Sequence, residues 1–138
     1  MTARGDQALR EGGKTSRESS DQTSIIATVH DYFDGWFDAE PDRMDRALHP
    51  GLAKRSLRQV DPDVPELRSV TKEQMLEWTT NGEGRRDAPE DRGIEVDVLD
   101  VHGNIATVVV RSAVYREYLH LVRTDEDWKI VNALWHFS

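Results

Sequence analysis

The absence of cysteine is the first constraint that this sequence sets. Without cysteine among its 138 residues, the chain has no disulfide, no thiolate metal ligand and no cysteine nucleophile. No apolar run approaches the roughly 20 residues that a membrane-spanning helix needs. The N-terminus carries charges but lacks the apolar stretch of a secretory signal. We therefore expect a cytoplasmic protein that makes no use of a membrane.

Positive charge is also scarce. The chain has 26 acidic and 18 basic residues, which gives a net charge of -8. Nucleic-acid binding requires lysine and arginine that neutralise phosphates, so this composition argues against a nucleic-acid partner. The histidines show no HExxH or other paired ligand spacing, and no GxSxG motif is present. The sequence therefore predicts no metal site and no serine nucleophile.

The chain divides into a polar tail and one domain. Residues 1–22 are polar and contain few large apolar groups. Such a segment cannot bury enough surface to offset the entropy of ordering, so we predict a disordered tail. Residues 23–138 are long enough to form the core of a single domain.

Helical patterns come first in that domain. Residues 24–40 carry apolar side chains at the spacing of an amphipathic helix, and Gly35 within them indicates a close contact with a neighbour. Pro41 and Pro50 bound a short second helix. Thr71 and Gln74 form a capping box that predicts a third helix. Residues 81–93 are polar, and we predict a mobile loop or lid there.

Strand patterns dominate the remainder. Residues 51–60 alternate loosely, whereas residues 61–67 contain two prolines and are predicted to be a loop. Residues 93–101 and 128–137 are predicted to be strands. Between them, the β-rich run at 105–123 is too long for a flat strand and must bend or contain a bulge. Helices segregated from three long antiparallel strands indicate an α+β fold.

Several segments together resemble a known superfamily. The stretch YFDGWFDAEPDRMDRALHP, then Glu117-Tyr118-Leu119, then DWKIVN occur in the order found in nuclear transport factor 2-like proteins. The similarity covers residues 24–137 and is closest to the SnoaL-like and "putative lumazine-binding" branch. It implies a cone-shaped, strongly curved antiparallel sheet wrapped around a long N-terminal helix. It also implies a pocket at the wide end and, commonly, a homodimer formed through the sheet.

The resemblance also suggests catalytic residues. Tyr32 is similar in place to the oxyanion-hole tyrosine of ketosteroid isomerase, a member of the superfamily. His49 matches the histidine of the branch's HP pair, and Glu117 stands where the branch often has aspartate. Ser56 falls near the isomerase's proton-abstracting aspartate and is not a competent base, which argues against isomerase-type chemistry. The predicted catalytic residues are therefore Tyr32, which would polarise a substrate oxygen, and His49 or Glu117, which would move a proton.

Each of these residues also has an ordinary structural interpretation. Tyr32 lies on the apolar face of the first helix and fits the core as well as a pocket wall. His49 fits an interaction with the C-terminal dipole of the second helix. Glu117 shares its strand face with leucines, so it lies either in a pocket or near the open end in water. Tyr118 points to the opposite face of that strand unless a bulge intervenes.

The predicted ligand-binding residues are Trp36, Trp78, Tyr118 and Asn132. Trp36 lies one helical turn after Tyr32, and Trp78 shares a helix face with Met75. A basic cluster at positions 54, 55 and 58 is interpreted as the solvated side of a strand.

The sequence leaves two main functions open, beside a third in which the outer face of the sheet recognises a partner. The first is a protein that binds a small apolar ligand and acts as a cofactor-independent acid/base enzyme on a carbonyl-bearing substrate. Cyclisation, dehydration and isomerisation are the reaction types that the resemblance implies. The second is a non-catalytic module for ligand binding or dimerisation, because the fold by itself does not decide function.

Overall fold

The computed structural model describes residues 16–61, 63–125 and 127–138. The elements in chain order are α1 Ser16–Asp38, α2 Pro41–Ala47, β1 Leu48–Asp61, β2 Val64–Val70, α3 Lys72–Thr80, α4 Glu83–Arg86, β3 Glu95–His102, β4 Ile105–Arg111, β5 Tyr115–Thr124 and β6 Asp127–Phe137. None of the helices in this described part combines the length and the apolar character that a bilayer span requires.

Helix α1 is the central element of the core. It begins at Ser16, so residues 16–22 are helical and the predicted tail boundary at 22 lies too far along the chain. The prediction for residues 1–15 lies outside the described residues. The helical spacing seen in the sequence produces a buried face, whose fully covered members are Ile25, Val29, Tyr32, Phe33 and Phe37.

Helix α2 packs closely against α1 because Gly35 has no side chain. A Cβ at this position would lie 3.1 Å from the backbone nitrogen of Met44 and 3.2 Å from Cβ of Arg43. These distances are shorter than ordinary van der Waals contacts, which confirms the predicted close approach. The outer face of α1 is fastened to α2 by Arg43, whose Nε donates to Oδ1 of Asp31 at 2.9 Å.

The region after β2 contains two helices rather than one. Helix α3 begins with the predicted capping box, in which Thr71 and Gln74 exchange side-chain and backbone hydrogen bonds. The predicted loop at 81–93 contains the short helix α4, which corrects that prediction. Gly84 explains its position, because an added Cβ would meet the indole of Trp36 at 2.5 Å. The helix is thus held against α1.

The sheet has six strands in the order β2-β1-β6-β5-β4-β3. Every neighbouring pair is antiparallel except β1 and β6, which run parallel. The first and last strands of the sequence therefore lie side by side in the middle of the sheet.

Two predictions about the strands were wrong. The predicted loop at 61–67 overlaps strand β2, in which Pro65 pairs with Gln59. Because β2 lies at the edge of the sheet, a proline that donates no hydrogen bond is tolerated there. The predicted single strand at 105–123 is a hairpin of β4 and β5. Its turn is closed by Ser112, whose backbone nitrogen donates to the oxygen of Tyr115 at 2.9 Å.

The sheet curves over α1 and does not close into a barrel. Register shifts interrupt the pairing in β3 between Val98 and Asp100 and in the β5–β6 pair next to His120. Such bulges bend a strand and increase its twist. The concave face covers α1 with a core that includes Val108, Leu119 and Ile130. The predicted α+β class with a curved sheet around the N-terminal helix is confirmed, with one parallel pair in the sheet.

Candidate functional site

A cavity of about 310 Å³ lies between α1, the concave face of the sheet and the helices α3 and α4. This volume is at the lower end of the range that small-molecule sites occupy. Its walls are mainly aromatic and apolar, and they include two basic and two acidic side chains. The lining residues are Tyr32, Phe33, Trp36, Lys54, Arg68, Val70, Met75, Trp78, Glu83, Tyr115, Glu117 and Trp135.

Three polar side chains meet in the cavity wall, and we refer to Tyr32, Lys54 and Glu117 as the buried cluster. The hydroxyl of Tyr32 donates to Oε1 of Glu117 at 2.8 Å. Nζ of Lys54 donates to the same hydroxyl and lies 3.9 Å from Oε1 of Glu117. The tyrosine hydroxyl therefore links the amine to the carboxyl group in one hydrogen-bonded chain.

The alternation of side chains along the strands places two members of the buried cluster inside. In β5, Glu117 and Leu119 are 3% and 0% exposed, whereas Tyr118 between them is 50% exposed. In β1, Leu52 and Lys54 share the inner face, and Lys54 is 8% exposed. Tyr32 comes from the buried face of α1. The helical and strand periodicities of α1, β1 and β5 therefore direct these three side chains to the same place in the cavity wall.

Burial shifts the proton affinity of all three groups. Burial raises the pKa of Glu117, although the charge of Lys54 and the hydrogen bond from Tyr32 oppose the rise. Burial lowers the pKa of Lys54, and the charge of Glu117 opposes that change. The pKa of Tyr32 is raised well above its usual value by burial and by the neighbouring Glu117. All three shifts favour the neutral forms, because a low-dielectric site disfavours charge.

Aromatic side chains form most of the remaining wall. The indole Nε1 of Trp36 donates to the hydroxyl of Tyr115 at 3.1 Å. The ring of Tyr115 lies edge-on to that of Trp135, with centroids 5.5 Å apart. Gly84 backs the ring of Trp36 and fixes its position. These contacts hold flat surfaces around the cavity, as suits a planar ligand.

The structure brings four of the seven predicted site residues to this cavity. Tyr32 and Glu117 are in hydrogen-bond contact there, and Trp36 and Trp78 line the wall without filling the space. Of the two alternatives for Glu117, the structure shows a position inside the cavity rather than one in water.

The other three predicted site residues lie away from the cavity. His49 is in β1 immediately after α2, where its Nδ1 accepts a hydrogen bond from the backbone nitrogen of Gly51 at 2.9 Å. Tyr118 projects from the outer face of the sheet. Asn132 lies on that outer face as well, and its Nδ2 is 3.1 Å from Nδ1 of His120. None of the three is among the residues that line the cavity.

Sequence reasoning missed Lys54, which it grouped with the exposed arginines at 55 and 58. The clue was present in the alternation, because Leu52 and Lys54 occupy the same face of β1. Tyr115 was missed for a related reason. It shares a strand face with Glu117, but this became visible only once the hairpin turn separated β4 from β5.

The donor atoms of the site can transfer protons and form hydrogen bonds. Within the described ranges, no group of three or more histidine, aspartate or glutamate side chains is placed to hold a metal ion. An amine, a phenol and a carboxyl group in an apolar cavity are instead suited to exchange protons with a bound molecule.

Solved structures with this fold come from several bacteria. An NTF-2 like protein of unknown function from Silicibacter pomeroyi DSS-3 matches with a TM-score of 0.68 at 13% identity, covering 88% of this chain and 98% of its own. An NTF2-like protein of unknown function from Shewanella baltica OS155 matches with a TM-score of 0.63 at 14% identity, covering 91% and 98%. At these identities the likeness concerns the fold alone.

The sequence itself matches a family model. No curated protein matches the chain, but the model described as "Putative lumazine-binding" matches residues 20–136. The match spans nearly the whole described domain and agrees with the resemblance found in the sequence. The chain therefore belongs to the "putative lumazine-binding" family.

Proposed function

We propose that the cavity binds a small, flat, largely apolar molecule that carries a carbonyl oxygen, and that Tyr32 and Glu117 exchange protons with it. The observation that carries this proposal is the hydrogen bond between Tyr32 and Glu117, 2.8 Å long, inside an aromatic cavity. The family description, which concerns binding of lumazine, supports a planar ligand with ring carbonyls.

The shape and chemistry of the wall support the choice of ligand. Aromatic rings on several sides favour a planar body. The indole Nε1 of Trp135 is buried without a hydrogen-bond partner among the described residues. Because a buried donor without an acceptor is unfavourable, a ligand oxygen that reached this group would gain affinity.

Proton exchange follows from the properties of the cluster. The phenol of Tyr32 is a donor held in a buried site, which suits stabilisation of negative charge on a substrate oxygen. Glu117 has a pKa raised by burial, which brings a carboxyl group closer to the pH at which it can both take and give a proton. Such chemistry serves cyclisation, dehydration or isomerisation and requires no cofactor. His49 has no part in this proposal because it does not line the cavity.

Native mass spectrometry of the purified full-length protein tests the ligand. We expect a bound small molecule, or uptake of added lumazine, by wild-type protein. A wild-type protein that binds neither, with an intact fold by circular dichroism, would contradict the proposal.

Two conservative variants then separate catalysis from binding. Tyr32→Phe and Glu117→Gln keep the shape of the wall and remove the proton donor or the ionisable carboxyl group. If the ligand is converted by wild-type protein, we expect turnover to fall about 10²- to 10⁴-fold in each variant, the usual contribution of a general acid or base. Binding without any turnover in the wild type would favour the non-catalytic binding module.

We also propose that the outer face of the sheet forms a homodimer. Large apolar side chains that are at least half exposed lie on this face, namely Leu57, Leu67, Tyr118 and Leu134. Neighbouring exposed apolar groups of this kind favour a protein interface. Sedimentation of wild-type protein and of Leu134→Glu tests it, with a dimer expected only for the former. A wild-type monomer at high concentration would refute it.

A further inference from the structure

Lys54 remains without a role after proton exchange is assigned to Tyr32 and Glu117. Lysine is almost never fully buried unless it is paired, yet Lys54 is 8% exposed and faces the cavity. Its ammonium form has three donors, and a single hydrogen bond, to Tyr32, is formed within the described residues. Burying an amine is energetically unfavourable, and this amine lies where a ligand would bind.

The geometry gives the amine a route to its neutral form. Lys54 donates to the hydroxyl of Tyr32, and that hydroxyl donates to Glu117. If the ammonium passes a proton to the hydroxyl while the hydroxyl passes its own to the carboxylate, a neutral amine and a neutral carboxylic acid result. Burial favours this outcome, since it lowers the pKa of Lys54 and raises the pKa of Glu117.

A neutral amine in an apolar cavity is a nucleophile toward carbonyl carbon. We propose that Lys54 forms a Schiff base with a planar, conjugated aldehyde or ketone bound in the cavity. The inference rests on the proposed function in one respect, because it requires that the cavity admit a carbonyl-bearing ligand. It goes further in assigning a covalent intermediate and the atom that forms it.

The step balances without any added reactant. Nζ of Lys54 attacks the carbonyl carbon, and the carbonyl oxygen takes up the proton that leaves the nitrogen, which gives a carbinolamine. The carbon–oxygen bond then breaks as the oxygen receives a proton from Glu117 through Tyr32, and water departs. The nitrogen lone pair forms the C=N bond. One amine, one carboxylic acid and one carbonyl compound thus become an iminium, a carboxylate and water.

The surroundings suit the product as well as the attack. The iminium nitrogen would carry its charge near the Glu117 carboxylate, which now lies 3.9 Å from Nζ. The ring of Trp135 lies 5.5 Å from Nζ and that of Tyr32 lies 4.9 Å away. Aromatic faces attract a cation at such distances. A conjugated ligand would extend between the same rings.

Reductive trapping tests the inference. Full-length wild-type protein is incubated with 2-naphthaldehyde and sodium cyanoborohydride, and the modified lysine is located by peptide mapping with mass spectrometry. The lysines are at positions 14, 54, 72 and 129. A lowered pKa raises the fraction of an amine that is neutral at a given pH, and burial lowers the pKa of Lys54. We expect the adduct to form first on Lys54, ahead of the other lysines.

Lys72 provides a matched internal control. Its side chain is also largely covered, at 14% exposure, but it is paired with Asp45 at 3.1 Å and lies outside the cavity lining. Lys72→Arg should leave the labelling of Lys54 unchanged. Lys54→Arg, which keeps a cation but cannot form a Schiff base, should abolish the fast adduct. Because the adduct is mapped on wild-type protein, the test remains decisive even if Lys54→Arg does not fold.

The outcomes separate this inference from the proposed function. Quenching of tryptophan fluorescence reports whether the aldehyde binds. If the aldehyde binds but Lys54 carries no preferred adduct, the Schiff base is overturned and ligand binding is left intact. An aldehyde that neither binds nor labels Lys54 would overturn the Schiff base and would also count against a carbonyl-binding cavity. Fast labelling confined to Lys54 supports both.

Discussion

Helix α1 carries ionisable groups on two opposite faces, and the two sets lie in different surroundings. On the inner face Tyr32 belongs to the buried cluster, whose members are enclosed by the core. On the outer face lies what we call the arginine network, which consists of Asp31, Asp34, Asp38, Arg43, Arg46 and Arg92.

The physical balance differs between the two sets. In the arginine network every side chain keeps part of its surface in water, and hydrogen bonds and opposite charges together outweigh desolvation, so the charged forms are favoured. Each such partly exposed ion pair contributes little to folding stability. In the buried cluster, desolvation dominates and pushes every group toward its neutral form. The network is therefore a means of attaching α2 and the segment before β3 to α1. Burying the cluster is energetically unfavourable and folding alone does not require it, which points to a function.

Removing one member of the buried cluster should have the largest effect. Glu117→Ala would remove the only carboxyl group of the buried cluster, so that the hydroxyl of Tyr32 loses its acceptor and Lys54 loses its partner in proton transfer. Removing one partner of a buried pair typically costs about 3–5 kcal/mol of folding stability. The triple variant Tyr32→Phe, Lys54→Met, Glu117→Leu removes all the polar groups together and should regain most of that loss. Urea unfolding measures both. Equal stability of the single and triple variants would show that burying these polar groups does not lower the folding stability.

A change of shape beside the inner face should come next. Gly84→Ala would place a methyl group 2.5 Å from the indole of Trp36, and such overpacking costs about 1–3 kcal/mol. Because Trp36 lines the cavity, ligand affinity should fall as well. Thermal unfolding and tryptophan fluorescence provide the readout. Gly51→Ala is the control, since its nearest neighbour is the side chain of His49 at 3.3 Å, outside the cavity.

The pH dependence of stability should have opposite signs in the two regions. The raised pKa of Glu117 means that its contribution is complete below the usual value of 4.5 and is lost as the pH rises through the folded-state pKa. A hydrogen bond from Arg92 lowers the pKa of Asp38. The contribution of Asp38 is therefore present above 3.8 and is lost as the pH falls through its folded-state pKa.

Urea unfolding at a series of pH values checks these signs with neutral variants. As the pH rises above 4.5, wild-type protein should lose stability relative to Glu117→Gln. Relative to Asp38→Asn it should gain stability as the pH rises through the acid range. Parallel curves for the two comparisons would show that the two faces do not differ in the way proposed.

Removing Arg92, which pairs with both Asp34 and Asp38 in the arginine network, should have the smallest effect. Arg92 Nη1 donates to Oδ1 of Asp34 at 2.8 Å and its guanidinium lies over the ring of Phe37. Arg92→Ala should cost about 0.2–1 kcal/mol, as partly exposed pairs do. The loss should shrink in high salt, because ions screen exposed charges. A salt-independent loss would indicate that packing against Phe37 matters more than charge.

The elements with strong local patterns were predictable. The apolar spacing of residues 24–40 gave α1 its buried face, and the Thr71 capping box gave α3 its start. The predicted loop at 61–67 failed because tolerance of Pro65 depends on the position of β2 at the sheet edge. That position is a property of the whole fold, which no local pattern contains.

The site could be predicted only in part for the same reason. Tyr32 and Glu117 stood out as polar groups on apolar faces, and the structure joins them. Lys54 also lies on the inner face of its strand, β1. Because two arginines are close to it in the sequence, its side chain was predicted to lie in water. His49 was placed by its match to a family motif, which says nothing about the direction of its side chain. Which faces meet is decided by the pairing of distant strands.

The parallel pairing of β1 with β6 has a consequence for synthesis of the protein. Tyr32 and Lys54 are separated by 22 positions, whereas Glu117 lies 85 positions after Tyr32. A nascent chain therefore exposes the phenol and the amine to solvent well before the carboxyl group and the last strand leave the ribosome. A polypeptide interrupted before β5 would lack the centre of its sheet and could hold no ligand. The cavity therefore forms only after strand β6 has been synthesised and has paired with β1.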